Sequence, residues 1–248
     1  MAITASICGM QPSALSRMFD RGASRYDLLV GLNPGYHAEL RRAAGALAGR
    51  IGPSGAPKVI DLACGSGAST RALLAALPGQ PSVLGLDASA GMLAQAIRKS
   101  WPDGVRFAEA VAGALDVADL EPGSWDGVFT AYLFRNVPEA GRDRALAEVY
   151  ELLAPGGWVV VQDYSVAGDR WATLRWHLVS WLVIIPLGLV ADRNPGLYRY
   201  LWRSVLDFDD RQRFGDRLEA AGFAEVAHRT ASGWQRGILH TFVARKPG

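Results

Sequence analysis

The stretch Asp61-Leu-Ala63-Cys-Gly65-Ser-Gly67 combines one acid with two closely spaced glycines, and Asp87 follows twenty residues after Gly67. Such a run suits a turn between a strand and a helix, where glycines let the backbone turn tightly beside a ligand. An acid at the end of the next strand can accept hydrogen bonds from both hydroxyls of a ribose. The spacing is not Gly-x-Gly-x-x-Gly, because Ala63 and Thr70 occupy the outer positions. A loop that opens on a carboxylate attracts the ammonium and sulfonium groups of S-adenosyl-L-methionine and repels a pyrophosphate. The methyl donor is therefore preferred to a dinucleotide. The plain alternatives are a simple turn at Gly65 and Gly67 and a helix N-terminal charge at Asp87.

These residues need a strand–helix scaffold, and the chain supplies one. Apolar strand patterns at Lys58–Ala63, Ser82–Asp87, Val105–Ala108, Trp125–Thr130 and Trp158–Gln162 alternate with helical patterns. The helices are expected at Ala68–Leu77, from a Ser89 cap with Met92, Leu93, Ala96 and Ile97 on one side, and at Arg142–Leu153, closed by Pro155-Gly-Gly157. Repeated units of this kind imply an α/β fold with a parallel sheet covered on both faces. The expected organisation is one domain over 1–248: a helical cap (1–50), a cofactor-binding core (51–163), a helical substrate lid (164–205), and a closing helix with two strands (206–248).

The bulk properties narrow the class. The 248 residues are 50% hydrophobic and 20% charged, enough for a sizeable core. A net charge of +2, with no basic run, gives no reason to expect nucleic acid. Two cysteines, Cys8 and Cys64, imply neither a disulfide framework nor a metal site. Met1–Met10 has no signal-peptide pattern. Leu178–Val190 is almost wholly apolar but shorter than a membrane span, and Pro186 and Gly188 interrupt it. It is expected to be a buried helix, with a lid over a lipophilic substrate or a membrane-interface surface as the sharper alternatives.

The chain resembles the ubiquinone/menaquinone-biosynthesis C-methyltransferases from about Met18 to Pro247. The resemblance is carried by Met18-Phe-Asp20 with Arg25-Tyr-Asp27, the loop Asp61–Gly67, and Gly85-Leu-Asp87 with Gly91-Met92-Leu93. Further elements are Phe134-Arg135-Asn136-Val137, Leu152–Gly157 and Tyr198-Arg-Tyr-Leu201. It implies a Rossmann-like class I methyltransferase fold, a mostly parallel seven-stranded sheet with helices on both faces and an antiparallel last strand. It also implies that Tyr26 closes over the cofactor, that Asp61, Ala63, Gly65 and Gly67 cradle its amino-acid end, and that Asp87 and Ala88 hold the ribose. Met92 packs near the adenine. Arg135 sits by the substrate ring and helps deprotonate it, Asn136 supports that loop, and Tyr132, Tyr198 and Tyr200 line the substrate side. The chain departs from the family at Val111, where an acid usually meets the adenine amine and Glu109 lies two residues away. It departs again at Gly237-Ile-Leu-His240, where the histidine is displaced by two positions, and in the added tryptophans Trp171, Trp176, Trp181, Trp202 and Trp234.

Methylating an aromatic carbon calls for a base or a cation beside an acidic hydroxyl. Arg135 is the first candidate, with His240 and Asp163 as further catalytic candidates and Trp181 on the substrate side. The expected reaction is C-methylation of a lipophilic phenol or quinol, in a cytoplasmic protein for which peripheral membrane contact and a homodimer are both open. A polyketide, indole or prenyl acceptor, a non-catalytic methyltransferase-fold subunit and a dehydrogenase are the rivals.

Overall fold

The structure, a computed structural model, describes residues 20, 35–52, 55–186 and 195–248. Tyr26 and most of the expected N-terminal cap lie outside them, as do residues 187–190 of the apolar segment. Seven strands form one sheet: β1 (Lys58–Leu62), β2 (Ser82–Asp87), β3 (Val105–Glu109), β4 (Trp125–Ala131), β5 (Leu153–Tyr164), β6 (Ala224–Thr230) and β7 (Leu239–Arg245). Their order is β3-β2-β1-β4-β5-β7-β6. The first five are mutually parallel, and β7 runs antiparallel to both β5 and β6. The order reverses between β1 and β4, and a sheet of this kind opens its ligand crevice at such a reversal, beyond the carboxyl ends of the strands.

Successive strand residues feed opposite cores, as a period of two requires. Val59, Phe129 and Val160 pack with α1 (Tyr36–Ile51) and α2 (Ala68–Ala76). Ile60, Val128 and Val159 pack on the other face with α4 (Glu139–Leu152) and α7 (Arg211–Ala220). The remaining described helices are α3 (Ala90–Ile97), α5 (Arg170–Val179) and α6 (Pro195–Leu206), with a π-helical turn at Ser180–Ile184. Coverage of both faces explains why β1 and β4 read as continuous apolar runs.

Three local expectations need correction. Ile97 is 62% exposed, because α3 ends there and only Met92, Leu93 and Ala96 reach the core. Pro155-Gly-Gly157 does not separate helix from strand: β5 already starts at Leu153 and passes through it, with a register shift against β4. A Cβ on Gly157 would stand 2.9 Å from the Ala154 carbonyl and 3.0 Å from that of Trp125, so the close approach of two backbones fixes that glycine. In the apolar segment Ser180 and Ile185 are buried, but Leu178, Trp181, Leu182 and Val183 are exposed. Its described part, residues 178–186, is not a buried helix.

Candidate active site

The crevice at the β1–β4 reversal is bounded by the glycine loop, the end of β2 and the end of β4. At the loop, Ala63 takes φ 64° and Gly65 φ 55°, both left-handed, so the chain turns sharply between β1 and α2. A Cβ on Gly65 would meet the Met92 methyl at 3.2 Å. Asp87 ties the loop to the next strand. Its Oδ2 accepts the Gly65 N–H at 2.8 Å and its Oδ1 the Ser89 N–H at 2.8 Å. Burial raises the Asp87 carboxyl above the ordinary carboxylate range, and those backbone N–H groups offset part of the rise.

Asp61 lies beneath the loop and does not line the crevice. Its Oδ2 accepts from the Ser69 hydroxyl at 2.7 Å and the Thr70 hydroxyl at 2.6 Å, which staples the start of α2 to β1. Its Oδ1 is buried with no hydrogen-bond partner among the described residues. Burial pushes the carboxyl up to about 7, despite the two hydroxyls. The expectation of direct cradling is corrected to a charge held one layer below. Gly67 is also behind the crevice: at φ 91° it precedes α2, and the Trp101 ring would stand 2.7 Å from a Cβ there. Val111 is exposed and outside the crevice, whereas Ala110 and Ala112 line it. Glu109 is exposed and does not line it either.

The opposite end of the crevice is formed by Tyr36, Tyr132, Leu133, Arg135 and Asn136. Tyr132 holds φ 63°, unusual for a bulky side chain. Its carbonyl accepts from Arg135 Nη1 at 2.9 Å and Asn136 Nδ2 at 2.8 Å. Asp163 completes the arrangement from the end of β5, accepting Arg135 Nη1 at 3.0 Å, the Arg135 N–H at 3.1 Å and the Tyr164 N–H at 2.8 Å. Burial raises the Asp163 carboxyl, and the Arg135 charge opposes the rise. Asp163 is fully occupied behind Arg135 and does not line the crevice. Its place is that of a positioning residue, a correction to its catalytic assignment.

Aromatic rings extend this wall. Tyr36, Tyr132, Tyr164 and Trp176 stack in sequence at centroid spacings of 5.2, 5.0 and 5.7 Å, with interplanar angles of 20–24°. The Arg135 guanidinium carbon lies 5.7 Å from the Tyr132 and Tyr164 centroids. Tyr200 is half-buried and close enough to feel the charges of Arg135 and Asp163; burial raises its phenol.

His240, Tyr198 and Trp181 are not brought to the crevice. His240 is buried on β7, its Nε2 donates to the Ser165 carbonyl at 3.2 Å, and burial lowers the imidazole to about 4. Tyr198 packs with Ile185 and Leu197 in a small separate core. Trp181 faces outward, edge-on to Trp202. The sequence reading missed Tyr36 and Tyr164 of the ring column, and the staple made by Ser69 and Thr70. Asp20 gains a definite place: its carboxylate accepts from the Ser89 hydroxyl at 2.5 Å and the Gly91 N–H at 2.9 Å, at the start of α3.

Residues 9–246 match the model of the ubiE/COQ5 methyltransferase family. The chain belongs to that family. It is 38% identical over 210 residues to the demethylmenaquinone methyltransferase of Thermus thermophilus, covering 84% of this chain and 91% of that one. It is 34% identical over 226 residues to the ubiquinone/menaquinone biosynthesis C-methyltransferase UbiE of Methylobacterium nodulans, covering 88% and 86%. Among solved structures it is similar to phosphoethanolamine N-methyltransferase 2 of Haemonchus contortus in complex with S-adenosyl-L-methionine. That match has a TM-score of 0.66 at 18% identity and covers 95% of this chain and 60% of that one. The [4+2]-cyclase SpnF has a TM-score of 0.67 at 16% identity, covering 96% and 98%. These two likenesses concern the fold alone, and the cyclase illustrates that the fold does not dictate the reaction. Family membership makes the chain an S-adenosylmethionine-dependent methyltransferase. The site fits that cofactor: the buried Asp61 Oδ1 below the loop has no hydrogen-bond partner among the described residues, and Asp87 lines the crevice.

Proposed function

We propose that this methyltransferase places a methyl group on a ring carbon of a lipophilic phenol or quinol, of the demethylmenaquinone type. The observation that carries the reading is Arg135, a guanidinium 8% exposed and fixed by Asp163 at the acceptor end of the cofactor crevice. When bound, S-adenosyl-L-methionine supplies an electrophilic methyl carbon on a sulfonium. Asp87 and Ala88 hold its ribose, Gly65 and the Asp61 charge its amino-acid end, and Met92, Ala110 and Ala112 its adenine.

The chain's remaining task is to make a ring carbon nucleophilic and to align it. A hydroxyl beside Arg135 ionises more readily, because a fixed cation stabilises the phenolate in a water-poor site. The negative charge delocalises to the neighbouring ring carbon, which takes the methyl; loss of that carbon's own proton then restores aromaticity. The rigid ion pair keeps the guanidinium oriented without reorganisation. The names of the similar curated proteins, demethylmenaquinone and ubiquinone/menaquinone methyltransferases, support the same acceptor class.

The ring column also offers π faces that favour a cation, as methylation of a prenyl double bond would require. Arg135 supports the phenol reading over that route, since a guanidinium close to a developing carbocation raises its energy. The test is incubation with methyl-labelled S-adenosylmethionine and a reduced prenylated naphthoquinone, followed by chromatography and mass analysis. Label on the quinone ring is the expected result. Full turnover by Arg135→Ala with acceptor bound would remove the role given to Arg135.

A further inference from the structure

The outer face of α5 and the π-helical turn after it is apolar where a solvent-facing helix is ordinarily polar. Trp171, Leu174, Leu178, Trp181 and Leu182 recur at helical spacing and are 47–75% exposed, and Val183 is 54% exposed. Ala172, Trp176 and Ser180 occupy the opposite, buried side. The π-helical hydrogen bonding at Ser180–Ile184 widens the helix by about one residue per turn and presents 181, 182 and 183 together. Large exposed apolar side chains gathered on one helix face mark an interaction site.

The charges around the face identify the occupant. No Asp or Glu occurs from residue 170 to 191. Arg170 and Arg236 are exposed, and Arg175 donates to the Arg236 carbonyl at 2.6 Å, which places residue 236 beside α5. None of them forms an ion pair among the described residues. The neighbouring acid, Asp169, is engaged in capping the helix through the Trp171 and Ala172 N–H groups. A second copy of this chain would bring the same face, with no carboxylate to meet these arginines. An anionic bilayer supplies both phosphate charge and an apolar layer, and tryptophan partitions to that boundary.

We propose that α5 and its π-helical extension lie flat in the surface of an anionic phospholipid bilayer, so that a prenylated acceptor reaches the crevice from the lipid. No described helix is long and apolar enough to cross a membrane, which leaves an in-plane position for this one. The purpose of the contact rests on the lipophilic-acceptor reading; the contact itself does not.

The experiment is co-sedimentation of the full chain with vesicles of phosphatidylcholine alone or mixed with phosphatidylglycerol. Tryptophan emission and its quenching by brominated acyl chains are followed in parallel. Wild type should bind the anionic vesicles at least about tenfold more tightly, with quenching, and release at high salt. Leu178→Asp combined with Leu182→Asp should lose binding about tenfold or more, while cofactor affinity by calorimetry stays within about twofold of wild type. Arg170→Glu with Arg236→Glu should remove the preference for anionic lipid. Absence of wild-type binding, or equal binding by the leucine variant, overturns the proposal. So does a wild-type dimer that becomes monomeric in that variant without any vesicle binding, which would assign the face to a second copy. A short-chain quinol delivered in solution separates the two readings. Its methylation without vesicle binding sinks only the docking surface, and vesicle binding with no methylation of any quinol sinks only the acceptor assignment.

Discussion

The two ends of the crevice are built on different principles. At the cofactor end, short polar side chains fasten backbone to backbone: Asp87 joins Gly65 to Ser89, and Ser69 and Thr70 join α2 to Asp61. At the acceptor end, one ion pair sits among large stacked rings, and α5 beyond presents its apolar side to solvent. A ligand with fixed polar groups selects the first construction, since each buried hydrogen bond must be matched. A greasy acceptor with one ionisable hydroxyl selects the second, where shape and a single charge suffice.

The contrast breaks most readily at Arg135. Arg135→Ala should lower kcat by about 10²–10³-fold, the usual cost of removing one group that stabilises developing negative charge. Cofactor affinity should stay unchanged. Asp87→Ala should do the opposite, weakening cofactor binding by about 100-fold in calorimetry through loss of the ribose contacts and of the Gly65 tether. If either variant damaged both ends equally, the division would be false. Asp163→Asn should lower kcat about tenfold with cofactor affinity unmoved, because the guanidinium loses its anchor but keeps its charge. Its pH–rate profile should also move to lower pH, because the substitution removes a negative charge that opposes a phenolate beside the guanidinium.

Two smaller effects have opposite signs with pH. Burial pushes the Asp61 carboxyl up to about 7 in the folded chain, against an ordinary value of 3.8. Its contribution to stability is therefore full below about 4 and is lost as pH rises through 7. Cofactor binding needs the ionised form, so affinity should strengthen by a few-fold as pH rises through 7, with proton release seen in buffers of different ionisation enthalpy. A pH-independent affinity would remove Asp61 from the cofactor site. His240 is lowered from 6.5 to about 4, so its contribution is present above 6.5 and lost as pH falls through 4. His240→Gln should flatten that acid limb in thermal melts. It should change turnover at pH 7 by less than about twofold, because the ring is remote from the crevice.

The cofactor end was legible in the sequence because its geometry is local. Gly65, a capping Ser89 and the strand-end Asp87 are close in sequence and meet through hydrogen bonds, whereas Gly67 and Asp61 fall behind the crevice. Thr70 shows the limit even there. It counted only as a departure from a dinucleotide pattern, although its hydroxyl is what holds Asp61. The acceptor end depends on neighbours far apart in sequence. Arg135 and Asp163 are 28 residues apart, and Tyr36 meets Tyr132 across nearly a hundred positions. His240 and Asp163 are direct partners in the β5–β7 register, yet Asp163 turns to Arg135 and His240 to Ser165. Leu178–Val190 reads as a buried helix, yet Leu178, Trp181, Leu182 and Val183 are exposed, because an apolar run does not say what faces it.

The ring column from Tyr36 to Trp176 has a thermodynamic consequence. Its first two rings form the crevice wall, and its last belongs to the inner side of the helix whose outer side carries the exposed stripe. Close-packed rings pass displacement along rather than absorb it. Acceptor binding and bilayer docking, as proposed, would then act on two ends of one mechanical element and be linked equilibria. Linkage is reciprocal. Whatever factor an anionic surface adds to acceptor affinity, a bound acceptor must add to affinity for that surface, and the enzyme would be retained longest on membranes that still hold unmethylated substrate.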